Sequence, residues 1–224
     1  MMQLPLEMPF RRVPGRNDFI LSDCNAIAAA MIDQWPDWPG RCRALNLVGP
    51  AGAGKSHLAA IWQALLDVDN ILTELPADAG LSAEAGQPFF VLDALTDSAA
   101  WDEEALFHLF NRCGDDAGGL LLLSETAVGQ MNWQLPDLKS RMRAVHVARI
   151  DLPDDELLYA LLEKYFSERQ IVAPPAMLRY LVGRMERSFT AVQMIGKAVD
   201  QRSIAEKRPL SVALARDVMG LDSH

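Results

Sequence analysis

Short apolar segments alternate along the first 150 residues with segments whose apolar residues recur at helical spacing. Five segments have the length of strands: residues 44–48, 70–75, 88–95, 120–125 and 145–150. Four segments with helical spacing accompany them: residues 25–35, 57–66, 103–112 and 135–143. Residues 44–48, 88–95 and 120–125 are mostly apolar, as expected of a parallel sheet that helices cover on both faces, whereas residues 145–150 alternate. The pattern therefore predicts an α/β domain with a parallel sheet over residues 15–150.

The pattern changes after residue 150. Residues 151–156 form an acidic segment with Pro153, and apolar residues at helical spacing then continue to the end of the chain. Four helices are predicted there: residues 157–170, residues 175–185, a third that Ser188 or Thr190 caps and that ends near residue 204, and a short one after Pro209. Residues 151–224 are therefore predicted to form a small all-α helical lid domain.

The first 14 residues have a composition of their own. Pro5, Pro9 and Pro14 exclude a helix interior and favour extended backbone, and large apolar residues stand between them. An extended tail that exposes leucine and phenylalanine requires a groove, which either this chain or a partner provides.

One glycine-rich segment joins the first strand to the helix after it. Gly49 to Ser56 has the spacing G-x-x-x-x-G-K-S, which is typical of a phosphate-binding P-loop. Glycines let backbone N–H groups point at phosphate oxygens, and the following helix N-terminus adds positive potential. The predicted nucleotide-binding residues are Gly49, Pro50, Ala51, Gly52, Ala53, Gly54, Lys55, Ser56 and His57. Lys55 is expected to reach the β- and γ-phosphates and Ser56 to hold Mg²⁺.

Acidic residues stand near the ends of two later strands. Asp93 follows four apolar residues, which is the Walker B pattern for a carboxylate that faces Mg²⁺; the alternative is a cap for the next helix. Residue 94 is alanine, where many ATPases of this class place a second acid that polarises the attacking water. Slow or absent hydrolysis by this chain alone is therefore predicted. Ser124 and Glu125 are candidates for sensing the γ-phosphate, or for capping a strand end.

The segment that precedes the first strand begins with a short apolar run, Phe19 to Leu21. We expect residues 19–28 to pack near the base of the nucleotide, and Ser22 or Asp23 to cap the first helix.

Charge and cysteine content narrow the functional classes. The formal net charge is −9 over 224 residues, which argues against a broad nonspecific surface for nucleic acid. Cys24, Cys42 and Cys113 lack C-x-x-C spacing, so we expect reduced thiols rather than a disulfide framework or a zinc site. The sequence shows neither a signal peptide nor an apolar run long enough to span a membrane. We therefore expect a cytoplasmic protein without a membrane partner.

An α/β P-loop domain followed by a helical lid resembles the AAA+ ATPases. Leu135 to Arg141, which reads Leu-Pro-Asp-Leu-Lys-Ser-Arg, and the acidic segment 151–156 are similar to the corresponding elements of the bacterial replication initiator DnaA. We expect neither a helix-turn-helix domain nor an N-terminal oligomerisation domain in this chain. Residues 3–6 (Gln-Leu-Pro-Leu) instead resemble the sliding-clamp-binding motif of the Hda-type, DnaA-related regulators, including their shorter alphaproteobacterial form.

This resemblance implies a function and several residue roles. Hda-type regulators bind the DNA-loaded sliding clamp (the polymerase beta subunit) and promote hydrolysis of the ATP bound to DnaA, which prevents over-initiation. In this chain residues 1–14 would form the clamp-binding tail, in which Gln3, Leu4 and Leu6 make the contacts. Arg141 would be the arginine finger that acts in trans on the ATP of DnaA, with Arg143 as a weaker alternative. Contact with DNA would be indirect, through the clamp, and self-association stays open.

The same resemblance implies that Lys55, Ser56 and Asp93 hold ADP or ATP with Mg²⁺. One departure concerns the arginine with which the lid would sense the nucleotide. Its expected position falls on Thr190 or Ala191, so either Arg187 or Arg184 substitutes for it or the lid does not sense the nucleotide.

Two other functions are compatible with the sequence. A self-sufficient ATPase, such as a DnaC-like or clamp-loader-like motor, would hydrolyse ATP by itself, and Ala94 argues against it. A nucleotide-independent adaptor would use the fold as a scaffold, and replacing Lys55 would then change nothing.

Overall fold

The computed structural model describes residues 18–66, 71–72, 89–95 and 101–221. The five strands in this part of the chain are β1 (Ala44–Val48), β2 (Ile71–Leu72), β3 (Phe89–Leu95), β4 (Gly119–Ser124) and β5 (His146–Arg149). The eight helices are α1 (Ala26–Asp33), α2 (Lys55–Leu66), α3 (Glu103–Asp115), α4 (Pro136–Ala144), α5 (Asp155–Ser167), α6 (Pro175–Val182), α7 (Phe189–Glu206) and α8 (Val212–Leu221). A short 3₁₀ turn spans Val128–Gln130.

The five strands form one parallel sheet in the order β2-β3-β4-β1-β5. Every residue of β1 and β4 is buried, as their continuous apolar runs require. The predicted α/β fold with a parallel sheet is therefore confirmed. Because β1 pairs with both β4 and β5, the loop after β1 leaves the sheet beside the end of β4, where ligands bind in open α/β sheets.

The structure differs from the sequence prediction in some local details. β2 covers only two residues of the predicted 70–75 in the described part of the chain. Neither Ser22 nor Asp23 caps α1 with its side chain, because the N-cap residue is Asn25. The Asn25 amide instead donates to the Ile20 carbonyl at 2.9 Å and accepts from the Ser22 N–H at 3.0 Å, so it orders the loop before the helix.

An aromatic cluster fills the core on the α1 and α2 face of the sheet. The rings of Trp38 and Trp62 are stacked with centroids 5.2 Å apart, and Trp35 meets both rings edge-on at 5.0 and 5.3 Å. A Cβ atom at residue 119 would lie 2.6 Å from the Trp35 ring, so only glycine fits at the start of β4. The opposite face is covered by α3 and α4 through a second set of buried apolar residues.

The helical C-terminal region has its own apolar core, formed by α5 to α8. Asp154 caps α5 by accepting from Leu157 N–H at 2.7 Å, and Ser188 caps α7 by accepting from Ala191 N–H at 3.1 Å. Leu157 and Phe189 also belong to the core beneath the sheet, which joins the helical region to the α/β region. No helix in the described ranges combines the length and the apolar character that crossing a bilayer demands.

A carboxylate of α3 closes the N-terminus of α4. The N-cap residue of α4, Leu135, offers no side-chain acceptor, so the first N–H groups of this helix need a partner from elsewhere. Glu103 supplies it by accepting from Gln134 N–H at 2.9 and 3.0 Å and from Leu135 N–H at 2.6 Å. A negative charge at a helix N-terminus is also favoured by the helix dipole. Glu103 therefore fixes where α4 begins relative to α3.

We expect Glu103→Ala to lower the free energy of unfolding by about 1–2 kcal/mol, because the N–H groups at the start of α4 lose their acceptor. Glu104→Ala is the matched control, since Glu104 lies in the same helical turn but is exposed, and we expect it to cost about 0.5 kcal/mol or less. Urea denaturation followed by circular dichroism measures both. Equal losses in the two variants would show that the contact with α4 contributes nothing.

Candidate functional site

The loop between β1 and α2 has the backbone shape that a P-loop requires. Gly52 and Gly54 have φ angles of +75° and +87°, a conformation that strains any residue with a side chain. The first turn of α2 follows at Lys55, so its free N–H groups and positive dipole end face the loop. The loop can therefore hold a phosphate chain with backbone donors alone.

Lys55 turns its ammonium group back onto this loop. Its Nζ donates to the carbonyls of Gly49 at 2.6 Å and Pro50 at 2.9 Å. Burial lowers the pKa of Lys55 below its ordinary value, while the carboxylates of Glu125 and Asp93 act in the opposite direction. The charged amine therefore lies in a partly desolvated position, where an anion would be bound strongly.

The structure brings Ser56 and Asp93 together. Ser56 Oγ donates to Asp93 Oδ2 at 3.1 Å, although the two residues come from α2 and β3. A hydroxyl and a carboxylate side by side are oxygen ligands of the kind that Mg²⁺ takes beside a phosphate. The pair lies next to Lys55, since Asp93 acts on the pKa of that lysine.

Ser124 and Glu125 differ in what they contact. Ser124 is buried, and its hydroxyl accepts from the Asn46 side-chain amide at 2.9 Å. Glu125 is exposed, and its charge opposes the lowering of the Lys55 pKa that burial causes, so its carboxylate lies near that ammonium group. Of the two candidates, only Glu125 presents a charged group at this site.

Asn46 is a residue that the sequence reasoning missed. It lies in the middle of β1 with no solvent exposure. Besides the bond to Ser124, its amide donates to the Leu122 carbonyl at 3.0 Å and accepts from Val128 N–H at 3.0 Å. A single polar residue in an otherwise apolar strand was the available signal, because such a residue needs buried partners. Asn46 fixes the end of β4 and the loop after it.

A cavity of about 210 Å³ adjoins the P-loop. One wall is the loop itself with His57, a second is Asp18 to Ile20 with Asn25, and a third is the helical region. The Phe19 ring meets the His57 ring edge-on at a centroid distance of 5.3 Å, and it would lie 3.1 Å from a Cβ atom on Gly54. The segment before β1 therefore lies beside the P-loop. That it packs near the base of the nucleotide stays a prediction.

The helical region meets the P-loop through the start of α7. The Thr190 hydroxyl lies 3.5 Å from the Ala51 carbonyl oxygen, and Phe189 Cβ would lie 3.2 Å from a Cβ atom on Gly52. Arg187 instead pairs with Asp155, with N–O distances of 3.0 and 3.1 Å, and the Arg184 guanidinium lies 4.0 Å from the centroid of the Tyr180 ring. Neither arginine lines the cavity.

Lys164 of α5 is the cation that the helical region brings to this cavity, and sequence reasoning did not identify it. Its Nζ donates to the Asp18 carbonyl, and it lies 3.8 Å from Glu168 Oε1. Lys164 therefore joins the helical region to the segment before β1.

Arg141 lies apart from the P-loop. It lines a second cavity, of about 220 Å³, which shares no residue with the first. Its guanidinium carbon is 4.2 Å from the ring centroid of Phe107 and 5.5 Å from that of Phe110. Arg143 is exposed and has no such contact among the described residues. Gln3, Leu4 and Leu6, the predicted clamp-binding residues, lie outside the described part of the chain.

No family model matches this sequence. Domain III of the replication initiation protein DnaA from Thermotoga maritima is similar in structure over 91% of this chain and 94% of that chain, with 15% identity and a TM-score of 0.69. The T. maritima RuvB Holliday junction branch migration motor is similar over 93% and 72%, with 15% identity and a TM-score of 0.67. Replication initiator DnaA bound to AMPPCP and single-stranded DNA is similar over 85% and 67%, with 14% identity and a TM-score of 0.62.

At these identities the likeness defines the fold. The chain has the AAA+ P-loop fold, arranged as in DnaA domain III and followed by a helical C-terminal region. This fold confirms the resemblance to AAA+ proteins that the P-loop domain and the helical region after it indicated.

We expect Asn46→Leu to lower the free energy of unfolding by about 2–4 kcal/mol, because Ser124 Oγ and Val128 N–H would be buried without a partner. Ser124→Ala removes only one of the three contacts of Asn46, and we expect it to cost about 1 kcal/mol. Urea denaturation of both variants measures the difference. Equal costs would show that Asn46 stabilises the end of β4 only through Ser124.

Proposed function

We propose that this protein is an Hda-type regulator that inactivates the initiator DnaA. Bound to the DNA-loaded sliding clamp, it promotes hydrolysis of the ATP that DnaA carries, and so prevents a second initiation. The enzymatic step takes place on the partner's nucleotide, and this chain contributes a positive charge to it.

The observation that carries the proposal is the position of Arg141. It lines a cavity separate from the chain's own P-loop, and it contacts two phenylalanine rings but forms no hydrogen bond or ion pair with another described residue. A guanidinium that cannot serve its own nucleotide is suited to a neighbour's, where it stabilises the charge that develops on the transferred phosphoryl group. The DnaA-like fold supports the choice of partner.

The chain's own P-loop binds ADP or ATP with Mg²⁺ in this proposal. A nucleoside triphosphate or diphosphate with its metal ion fits the glycines of positive φ, Lys55 and the Ser56–Asp93 pair. A structural neighbour was obtained with the ATP analogue AMPPCP. Bound Mg²⁺ would neutralise phosphate charge. Lys55 would leave the Gly49 and Pro50 carbonyls to contact phosphate oxygens. Because residue 94 is alanine, the chain lacks the usual acid for activating water and turns over its own nucleotide slowly.

The remaining parts of the proposal concern partners and boundaries. The tail of residues 1–14 binds the sliding clamp through Gln3, Leu4 and Leu6, and contact with DNA is indirect. Residues 15–150 are the nucleotide-binding domain, residues 151–224 the lid, and the protein acts in the cytoplasm. Since neither Arg187 nor Arg184 lines the P-loop cavity, the lid does not sense the nucleotide through an arginine.

We expect the affinity for ADP to fall as the pH rises from neutral toward the ordinary pKa of lysine, about 10.4. Binding needs the charged ammonium of Lys55, and burial lowers its pKa in the free protein, so the charge is fully present only below that pKa. Isothermal titration calorimetry across this range measures the effect. Lys55→Arg is the control, because a guanidinium keeps its charge throughout and its weaker binding should not change with pH. A constant affinity in the wild type would exclude Lys55 from the phosphate site.

The central test is a reconstituted assay of DnaA-ATP hydrolysis with the sliding clamp loaded on DNA. We expect Arg141→Ala to reduce the stimulated rate about a thousandfold, or to the basal rate of DnaA, as is typical when an arginine finger is lost. Arg143→Ala is the matched control from the same helix and should retain stimulation. A variant with alanine at residues 3, 4 and 6 should not stimulate DnaA-ATP hydrolysis under conditions in which binding of this protein to the clamp limits the rate.

Unchanged stimulation in Arg141→Ala would contradict the proposal. Substantial ATP turnover by the purified chain without DnaA would favour a self-sufficient motor. Full stimulation by Lys55→Ala would favour a nucleotide-independent adaptor.

A further inference from the structure

Arg141 is held by aromatic rings, without a carboxylate partner among the described residues. Six of the twelve other described arginines contact a carboxylate, as in the pairs Arg41–Asp115, Arg187–Asp155 and Arg208–Asp217. Arg141 contacts the faces of two phenylalanine rings instead, at 4.2 and 5.5 Å. The nearby carboxylate in the same cavity, Asp115, is taken by Arg41 at 2.5 Å. Arg141 therefore lies beside a cavity without an ion-pair partner in the described part of the chain.

The two rings are presented together by the geometry of α3. Phe107 and Phe110 are three residues apart, which places them on one face of the helix, and both pack against the core between α3 and α4. Both rings are half-buried, so packing restricts their motion. A cation over such a ring is attracted by the negative face of the π system. The rings thus form a fixed platform under the guanidinium.

An aromatic ring and a carboxylate differ in how many N–H donors of the guanidinium they leave available to a ligand. A carboxylate accepts N–H donors of the guanidinium and would have to release them before a phosphate could bind. A ring contacts the guanidinium plane and leaves the five N–H groups at its edge unused. Arg141 can then be oriented before the partner arrives and still offer all its donors to an anion.

We propose that Phe107, assisted by Phe110, is a positioning residue that orients Arg141 through a cation–π contact for its action on the partner's nucleotide. This inference rests on the proposed function. Glu103 contributes indirectly, because it fixes the start of α4 against α3 and so sets where Arg141 lies over the rings. Positioning of this kind affects the rate of the chemical step, because a misplaced charge stabilises the transition state less.

The test compares Phe107→Leu with Phe107→Tyr in the DnaA-ATP hydrolysis assay. Leucine keeps an apolar side chain in the core but has no ring, whereas tyrosine keeps the ring face. We expect Phe107→Leu to lower the maximal stimulated rate about tenfold at an unchanged half-saturating concentration. Phe107→Tyr should stay near the wild-type rate.

Phe90→Leu is the matched control. Phe90 packs against the same core and lies under a different cation, Arg112, at 5.9 Å. Its replacement therefore has a comparable effect on packing without removing a ring from Arg141, and we expect the stimulated rate to stay near that of the wild type.

A measurement independent of activity completes the design. Ring currents of Phe107 should shift the side-chain proton resonances of Arg141 upfield in the NMR spectrum of the wild type and of Phe107→Tyr, and Phe107→Leu should lose most of that shift. Unchanged Arg141 resonances in Phe107→Leu would overturn the inference.

The kinetic outcomes separate the inference from the function on which it rests. A full stimulated rate in Phe107→Leu, or a raised half-saturating concentration at an unchanged maximal rate, would overturn the positioning role; the second result would make Phe107 a contact with the partner. Unchanged stimulation in Arg141→Ala would overturn the proposed function and the positioning role together. In that case the NMR shift would still record whether the ring contact exists.

Discussion

In a parallel sheet the carboxyl ends of all strands lie at the same edge, and this constraint determines where the functional side chains of the protein can meet. Helices cover both faces of the sheet, so polar groups are excluded from the strand interiors unless they find partners there. Asn46 is a polar residue inside β1 that finds such partners. Its three hydrogen bonds connect β1 to β4 and to the turn after β4. The P-loop, Asp93 and Glu125 then meet at the carboxyl edge, each from a different strand or loop.

The same edge of the sheet brings positively and negatively charged groups together at the site. Lys55 lies between two carboxylates and the loop carbonyls, in a place where burial disfavours its charge. A bound phosphate chain would favour the charged form of Lys55, because it adds negative charge and replaces the contacts of the ammonium group with the loop carbonyls. The helical region adds Lys164 to the cavity wall, and the Thr190 hydroxyl lies 3.5 Å from the Ala51 carbonyl oxygen. The apolar residues Leu157 and Phe189 connect the helical region to the core beneath the sheet.

The α3 and α4 pair has a second role, separate from that edge. Glu103 joins the two helices at one end, and the Phe107 and Phe110 rings meet Arg141 further along. This arrangement places a cation beside a cavity, without an ion-pair partner among the described residues, in a protein whose net charge is −9. Such a positive group is suited to an anion that comes from outside.

The sequence by itself determined the element order, the parallel sheet, the helical C-terminal region and the P-loop, because these depend on the period of apolar residues and on glycine spacing within a few positions. It also indicated the DnaA-like fold through residues 135–141. Only the tertiary structure decided which side chains meet across the fold. Glu103 and Leu135 are 32 positions apart, and Ala51 and Thr190 are 139 apart, so no local pattern connects them. The pairing of Arg187 with Asp155, the burial of Ser124 and the rings under Arg141 follow from how helices pack on the sheet, which depends on the shapes of all the side chains in the core at once.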